Sequence, residues 1–237
     1  MSIKSLGKQI LNQDNENQIT KKLFDGIDKH ARILDVGSGK GRNIRLLNEF
    51  GFSNVLGVEI NQDLVDFANK NNLNTISVDN FSKQKELFDV ILFSHIIEHF
   101  SHNDLLAFLE HYFSYTKDGA EIVVLTPLES NFFYNDFDHV KPYHPQGIEA
   151  VFSNQLEQVQ FSSRFYLDLQ DIYFRKMPFR FLVFSRKIHL GKVSLPYVLV
   201  NVLSVFAWLL TGKLLGRVTG WGARYRIHHK PNKMERN

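Results

Sequence analysis

The chain has 237 residues, 43% of them hydrophobic and 22% charged, which fits one globular domain with an elaboration and excludes a disordered or fibrous chain. It contains no cysteine, which removes disulfide scaffolds, thiolate metal sites, iron–sulfur clusters and cysteine nucleophiles together. The formal net charge of +3 hides a division: residues 1–170 hold 15 Lys and Arg against 23 Asp and Glu, while residues 171–237 hold 13 against 2, a basic segment that asks for an anionic partner.

Residues 1–30 read as a polar helical lead-in, and their start, MSIKSLGKQI, lacks the apolar core of a secretory signal, so a cytoplasmic location is expected. From residue 31, short apolar runs alternate with helix-permissive segments, the rhythm of βαβ units around a parallel sheet. Strands are expected at 32–36, 54–59, 74–78, 88–94 and 121–126, and helices at 41–50, 63–71, 103–115 and 147–157. A sixth strand fits 158–169. No internal repeat or low-complexity tract interrupts the series.

The chemistry begins at ILDVGSGKG, residues 33–41, where a strand passes through Asp35, Gly37, Ser38, Gly39 and Gly41 into a helix. Glycines here let the backbone turn sharply and approach a ligand, and the helix presents its first amides to it. A dinucleotide fingerprint would need its third glycine where Arg42 stands. The form found, D-x-G-x-G-x-G, resembles the class I S-adenosylmethionine-dependent methyltransferases, in particular the ubiquinone-type and small-molecule O-methyltransferases. The resemblance covers about residues 30–170. It implies an α/β, Rossmann-like methyltransferase fold: a mainly parallel seven-stranded sheet with an antiparallel last strand and helices on both faces. It also implies S-adenosyl-L-methionine as cofactor. Glu59, followed by Ile60, ends the second strand where the family's acidic residue meets the ribose hydroxyls. Asp79 and Asn80 stand where the adenine is met, Ser94 ends the fourth strand, and Thr126 and Pro127 close the fifth.

Ser94 leads into HIIEH, and His-x-x-Glu-His is also the signature of the inverted zinc metalloproteases. On a helix, His95, Glu98 and His99 would share a face around one cation. The motif follows a strand that the methyltransferase resemblance already uses, so no metal is expected, and Glu98 and His99 are expected to line the pocket or cap a helix. The long loop LESNFFYNDFDHVKPYHPQG begins where open α/β sheets bind ligands. Its D-H-x-K-P-Y pattern resembles the substrate loop of small-molecule, sugar or lipid methyltransferases. A histidine can take a hydroxyl proton near neutral pH, and His139 is the first choice for that base, with His99 and Tyr143 as further catalytic candidates. His144, between Tyr143 and Pro145, suits a structural role equally well.

Twenty uncharged residues, VSLPYVLVNVLSVFAWLLTG, separate Lys192 from Lys213, and a helix from Pro196 to Leu215 would reach about 28 Å, nearly a bilayer's apolar thickness. Basic residues flank the run on both sides and give no orientation for a crossing. The later ARYRIHHKP resembles the antiparallel closing strand of the methyltransferases. We therefore expect a lead-in at 1–30, a cofactor-binding domain at 31–171, a hydrophobic basic insertion at 172–220 and a closing strand and tail at 221–237. The insertion is expected in a membrane interface, with Asn201, Ser204, Trp208 and Thr211 on its wetter side. Two alternatives remain open: a helix packed over the domain's own sheet or in a dimer, and a strand at 179–187 that would make the tail a terminal anchor. Leu, Val and Trp at this density suit phosphates poorly, so nucleic acid is not expected. The function expected is O-methylation of a small-molecule, sugar or lipid-linked acceptor by a protein peripheral to an anionic membrane on its cytoplasmic face. The alternative is a non-catalytic membrane adaptor that retains the fold.

Overall fold

The computed structural model describes residues 14–130, 133–153, 160–179 and 195–229, with no side-chain detail for 195–198. Seven strands form one sheet in the order β3-β2-β1-β4-β5-β7-β6: β1 (Ile33–Val36), β2 (Val55–Glu59), β3 (Thr75–Ser77), β4 (Phe88–Ser94), β5 (Thr116–Pro127), β6 (Phe165–Met177) and β7 (Arg217–His229). The first five pair in parallel, and β7 runs antiparallel between β5 and β6. The sheet is the expected Rossmann-like arrangement with an antiparallel last strand.

Both faces of the sheet are apolar because helices cover both. Along β4, Ile91 and Phe93 join the core on one face, and Val90 and Leu92 join the core on the other. Helices α1 (Glu16–Leu23), α2 (Arg42–Glu49) and α3 (Gln62–Lys70) cover the second face through Ile19, Leu23, Ile44, Leu47 and Ala68. The first face is covered by α4 (Val78–Phe81), α5 (His102–Phe113) and α6 (Pro145–Phe152). In α5 the buried residues Leu105, Leu109, Tyr112 and Phe113 form a helical stripe, and the Ser101 side chain accepts from the Asp104 amide to cap its start.

Several expected boundaries move. The sixth strand does not start near 158; it runs from Phe165 to Met177, held by twelve paired positions on β7. The expected helix at 147–157 begins earlier, with Pro145 in its first turn, and its described part ends at Phe152. The insertion therefore leaves the sheet after Met177 and returns at Arg217, later and earlier than the expected 172–220. The alternative strand at 179–187 falls, apart from Phe179, outside the described residues, as does the final Lys230–Pro231. Within the insertion, α7 (Leu195–Leu210) is sixteen residues, and no described helix is long and apolar enough to cross a membrane. Strand β6 lies at the sheet edge, and its register on β7 slips twice, between Leu169 and Asp171 and between Arg175 and Lys176.

Register fixes where the insertion sits. Pro127 pairs with Gly220, and Met177 pairs with Arg217, so the insertion departs from the C-terminal edge of the parallel strands. Helix α1 is drawn toward the same edge by one carboxylate. Glu16 takes Arg42 Nη1 at 2.7 Å, His95 Nε2 at 2.8 Å and Arg175 Nη1 at 2.6 Å. Burial alone would raise its pKa, but the His95 hydrogen bond and the three cations outweigh burial and hold it well below the usual carboxylate range. For His95, burial would lower the pKa, yet hydrogen bonds to Glu16 and Glu98 push it up to about 9.

These shifts set a pH window. The Glu16 contribution is present above its ordinary value near 4.5 and is lost as pH falls below it, whereas the His95 contribution is full below 6.5 and lost as pH rises through about 9. Glu16→Gln should lower unfolding stability by roughly 3 kcal/mol at pH 6, because it strands the Arg175 charge, and its deficit against wild type should shrink toward pH 9. Urea melts of both proteins at several pH values check this.

Candidate active site

The glycine loop is pinned to the neighbouring strand: the Gly37 and Ser38 amides both donate to the Val58 carbonyl, at 2.8 and 3.1 Å. Gly37, Gly39 and Gly41 all take left-handed φ, 70°, 53° and 73°. A Cβ on Gly39 would meet nothing within 4 Å, so it would project into open space beside the strand ends, where only a ligand could object to it. Gly57, in the middle of β2, is needed for a different reason. A Cβ there would stand 2.6 Å from Ser38 Oγ and 2.8 Å from Ile44 Cδ1, so its absence lets the loop and α2 lie against the strand. Sequence reasoning passed over Gly57, although a glycine inside VLGVE is a visible signal.

Glu59 ends β2 and holds the loop from the side. Its Oε2 accepts from the Gly39 amide at 2.8 Å and its Oε1 from the Asn61 amide at 2.9 Å, which leaves further lone pairs on a carboxylate beside the glycines. Ile60 next to it is 85% exposed, an apolar wall with no packing partner of its own. Asp79 and Asn80 are exposed in the first turn of α4, whose start the Ser77 side chain caps. Ser94 is buried at the end of β4 and Ser38 within the loop. The structure thus gathers Asp35, Gly37, Ser38, Gly39, Gly41, Glu59, Ile60, Asp79, Asn80 and Ser94 along the ends of β1 to β4.

Asp35 has no exposed surface, accepts from Asn43 Nδ2 at 3.3 Å and leaves its Oδ2 without a partner. Burial pushes its pKa up to about 7; the Asn43 hydrogen bond opposes the shift and the nearby Glu59 charge adds to it. An orphaned buried carboxylate oxygen, an acidic strand end and an open glycine cradle fit a cationic nucleoside such as S-adenosylmethionine.

A second cluster lies beyond β4 and β5. His95 has φ 56°, left-handed, and only Ile97–His99 form a short 3-10 turn, so HIIEH is not the continuous helix a metalloprotease would need. Both His95 nitrogens face carboxylates, Glu16 at 2.8 Å and Glu98 at 3.3 Å, so this ring is an imidazolium donor rather than a metal ligand. Glu98, 0% exposed, accepts from the Thr126 hydroxyl at 3.0 Å, and its backbone carbonyl takes the Val140 and Lys141 amides at 2.9 and 3.2 Å. Those amides fold the long loop over the turn and bring His139 Nε2 to 4.0 Å from Glu98 and 3.8 Å from Asp136.

The tautomers follow from the partners. His139 Nδ1 meets the Phe133 carbonyl at 2.7 Å and His99 Nδ1 meets the Asp138 carbonyl at 3.0 Å; a carbonyl only accepts, so each Nδ1 carries a proton and each Nε2 lone pair is left for chemistry. Glu98, His99 and His139 offer ligand atoms all within 4.8 Å of one another, so this trio, rather than a set with His95, has donors that suit a divalent ion at a motif expected to hold none. Tyr143 serves the packing instead. Its hydroxyl donates to the Phe100 carbonyl at 3.0 Å, its own carbonyl takes Trp221 Nε1 at 2.8 Å, and burial pushes its pKa up to about 12. It holds the loop onto the sheet and stays protonated. His144 caps the start of α6 by position, without a side-chain bond. Glu16 and Arg175 were missed at the sequence level, since nothing in the local pattern ties either to His95.

From pH 3.8 to about 7 the folded chain keeps a proton on Asp35 that the unfolded chain has lost, so this residue makes stability fall as pH rises through that window. Asp35→Asn should remove that slope. The variant should melt higher than wild type at pH 8 and no higher near pH 4, as thermal unfolding across the range will show.

The chain matches the methyltransferase domain family over residues 12–178. No curated protein sequence matches it. Among solved structures, a SAM-dependent methyltransferase from Archaeoglobus fulgidus is similar at 20% identity and a TM-score of 0.56, over 95% of this chain and 100% of that one. The YcgJ protein from Bacillus subtilis gives 14% identity and 0.56, over 92% and 99%. A magnesium protoporphyrin IX methyltransferase from Synechocystis PCC 6803, solved with bound SAH, gives 10% identity and 0.54, over 93% and 84%. These likenesses are ones of fold; the family match, joined to a site that fits the cofactor, makes the chain a member of the methyltransferase domain family and a class I, S-adenosylmethionine-dependent methyltransferase.

Proposed function

We propose that the protein methylates a hydroxyl oxygen on a small-molecule, sugar or lipid-linked acceptor presented at a membrane surface. The observation that carries the oxygen assignment is His139: its Nδ1–H is fixed on the Phe133 carbonyl, which leaves Nε2 as a proton acceptor beside the strand ends. When bound, S-adenosylmethionine supplies a methyl group activated on a sulfonium. The chain's own part is mostly positioning. The Glu59 carboxylate and the open space at Gly39 hold the nucleoside, and Asp35 lies buried beneath the loop. His139 Nε2 takes the hydroxyl proton as the acceptor oxygen is methylated, and the buried Glu98 carboxylate 4.0 Å away stabilises the imidazolium that forms. The ubiquinone-type affinity rests on resemblance alone.

Titration calorimetry with S-adenosylhomocysteine should give one site per chain. Glu59→Ala should weaken it by about 1.5–3 kcal/mol through lost hydrogen bonds to a charged group, and Gly39→Val should abolish it by filling the cradle. Folded wild-type protein that binds no S-adenosylhomocysteine would overturn the reading.

His139→Ala should leave that binding constant unchanged and lower methyl transfer by about 10²–10⁴-fold against a panel of phenols, glycans and lipid intermediates. Equal rates for wild type and variant would remove His139 as the base. A rate lost to chelator and restored by a divalent ion would make Glu98, His99 and His139 ligands instead.

A further inference from the structure

Helix α7 is amphipathic the wrong way round for a protein in water. The residues expected on its wetter side face the protein: Asn201 and Trp208 are buried, and the Ser204 hydroxyl donates to the Phe179 carbonyl at 2.7 Å. Val205 is buried with them. The opposite stripe, Leu199, Val202, Leu203, Phe206, Leu209 and Leu210, is 48–71% exposed, and Leu214 and Leu215 extend it at 71% and 54%. So long a contiguous apolar stripe marks an interaction surface rather than scattered exposure.

The charges around the stripe identify its occupant. Beside the helix's end, α1 and β6 line an open cavity of about 840 Å³, and its wall holds Lys21, Lys22, Lys176 and Lys213, with Asp25 as the single acid. Lys22 and Lys213 already lie over the Tyr173 and Trp208 rings, at 5.1 and 5.2 Å from the centroids, so their ammonium groups are held at this mouth. From residue 172 to 234 the sequence has no Asp or Glu at all. A second copy would bring the same cations against these cations. An anionic bilayer offers both what the stripe needs and what the lysines need: acyl chains below and phosphates at the level of the headgroups.

We infer that the outer face of α7 and the lysine-lined cavity beside it form a docking surface for an anionic lipid bilayer, with the helix lying along the interface. At sixteen residues α7 is about 24 Å long, which suits lying in the interface better than crossing it. Because the insertion leaves from the C-terminal edge of the parallel strands, docking there sets the bilayer beside the edge of the sheet that carries the glycine loop. The inference concerns a surface; only its consequence for a lipid-linked acceptor rests on the function proposed above.

The full chain should cosediment with vesicles of phosphatidylcholine and phosphatidylglycerol, and weakly with phosphatidylcholine alone, and rising salt should reduce the difference. Replacing Leu203, Phe206 and Leu210 by serine should cut vesicle partitioning by about a hundredfold, since each side chain loses apolar transfer. All three are exposed, so folding should persist, and S-adenosylhomocysteine titration on the same sample verifies that. Replacing Lys21, Lys22 and Lys213 by glutamine should remove roughly tenfold or more of the preference for anionic vesicles. Wild type that ignores both vesicles while binding S-adenosylhomocysteine overturns the docking surface and leaves the methyltransferase reading intact. Wild type that instead forms dimers abolished by the serine variant assigns the stripe to a second copy and overturns it too. Loss of S-adenosylhomocysteine binding with vesicle binding retained has the opposite meaning.

Discussion

Everything at the working edge of the sheet is tied to one carboxylate with no access to solvent. Glu98 takes the Thr126 hydroxyl from β5, faces His95 at 3.3 Å on one side and His139 at 4.0 Å on the other, and its backbone carbonyl folds the long loop down through Val140 and Lys141. Through His95 it is joined to Glu16, Arg42 and Arg175, and so to helix α1. The glycine-loop side and the long-loop side of this edge therefore share a single buried anion. A buried charge is tolerated when it is paired, and Glu98 has the Thr126 hydroxyl and the His95 and His139 rings around it.

Two of the other buried carboxylates at this edge, Glu16 and Asp35, are treated in opposite ways. Glu16 meets three cations and stays ionised; Asp35 meets an asparagine and the like charge of Glu59, and its pKa rises. The same edge thus holds one carboxylate ionised and another pushed toward its protonated form, and the difference lies in the partners each meets.

The parts that could be read from the sequence are those written in short spacing. The glycine loop, the acidic end of β2 and the centres of the parallel strands follow from short apolar runs and from glycines at fixed offsets, and the sheet has them where they were expected. The pairing of Glu16 with His95 spans 79 residues and with Arg175 spans 159, and no local pattern encodes either. At HIIEH the spacing would suit a helix, but the Leu125 carbonyl on β5 accepts the His95 amide and the backbone there turns left-handed, so tertiary bonding overrides propensity. The orientation of α7 was misjudged because polar residues were assigned to water. Asn201 and Ser204 found protein partners instead, and the apolar residues were left outside.

The irregular edge strand has a consequence of its own. Among the described residues β6 pairs with β7 alone and ends the sheet, and an edge strand is the usual template on which one sheet recruits another. Its two register slips bend the ladder, and Asp168, Asp171, Arg175 and Lys176 scatter charges of both signs along it, while the opposite edge, β3, is three residues long. Neither margin offers a straight run for a second chain to extend. A protein crowded onto a surface would meet its neighbours often, and these blunted margins let it do so without stitching sheet to sheet.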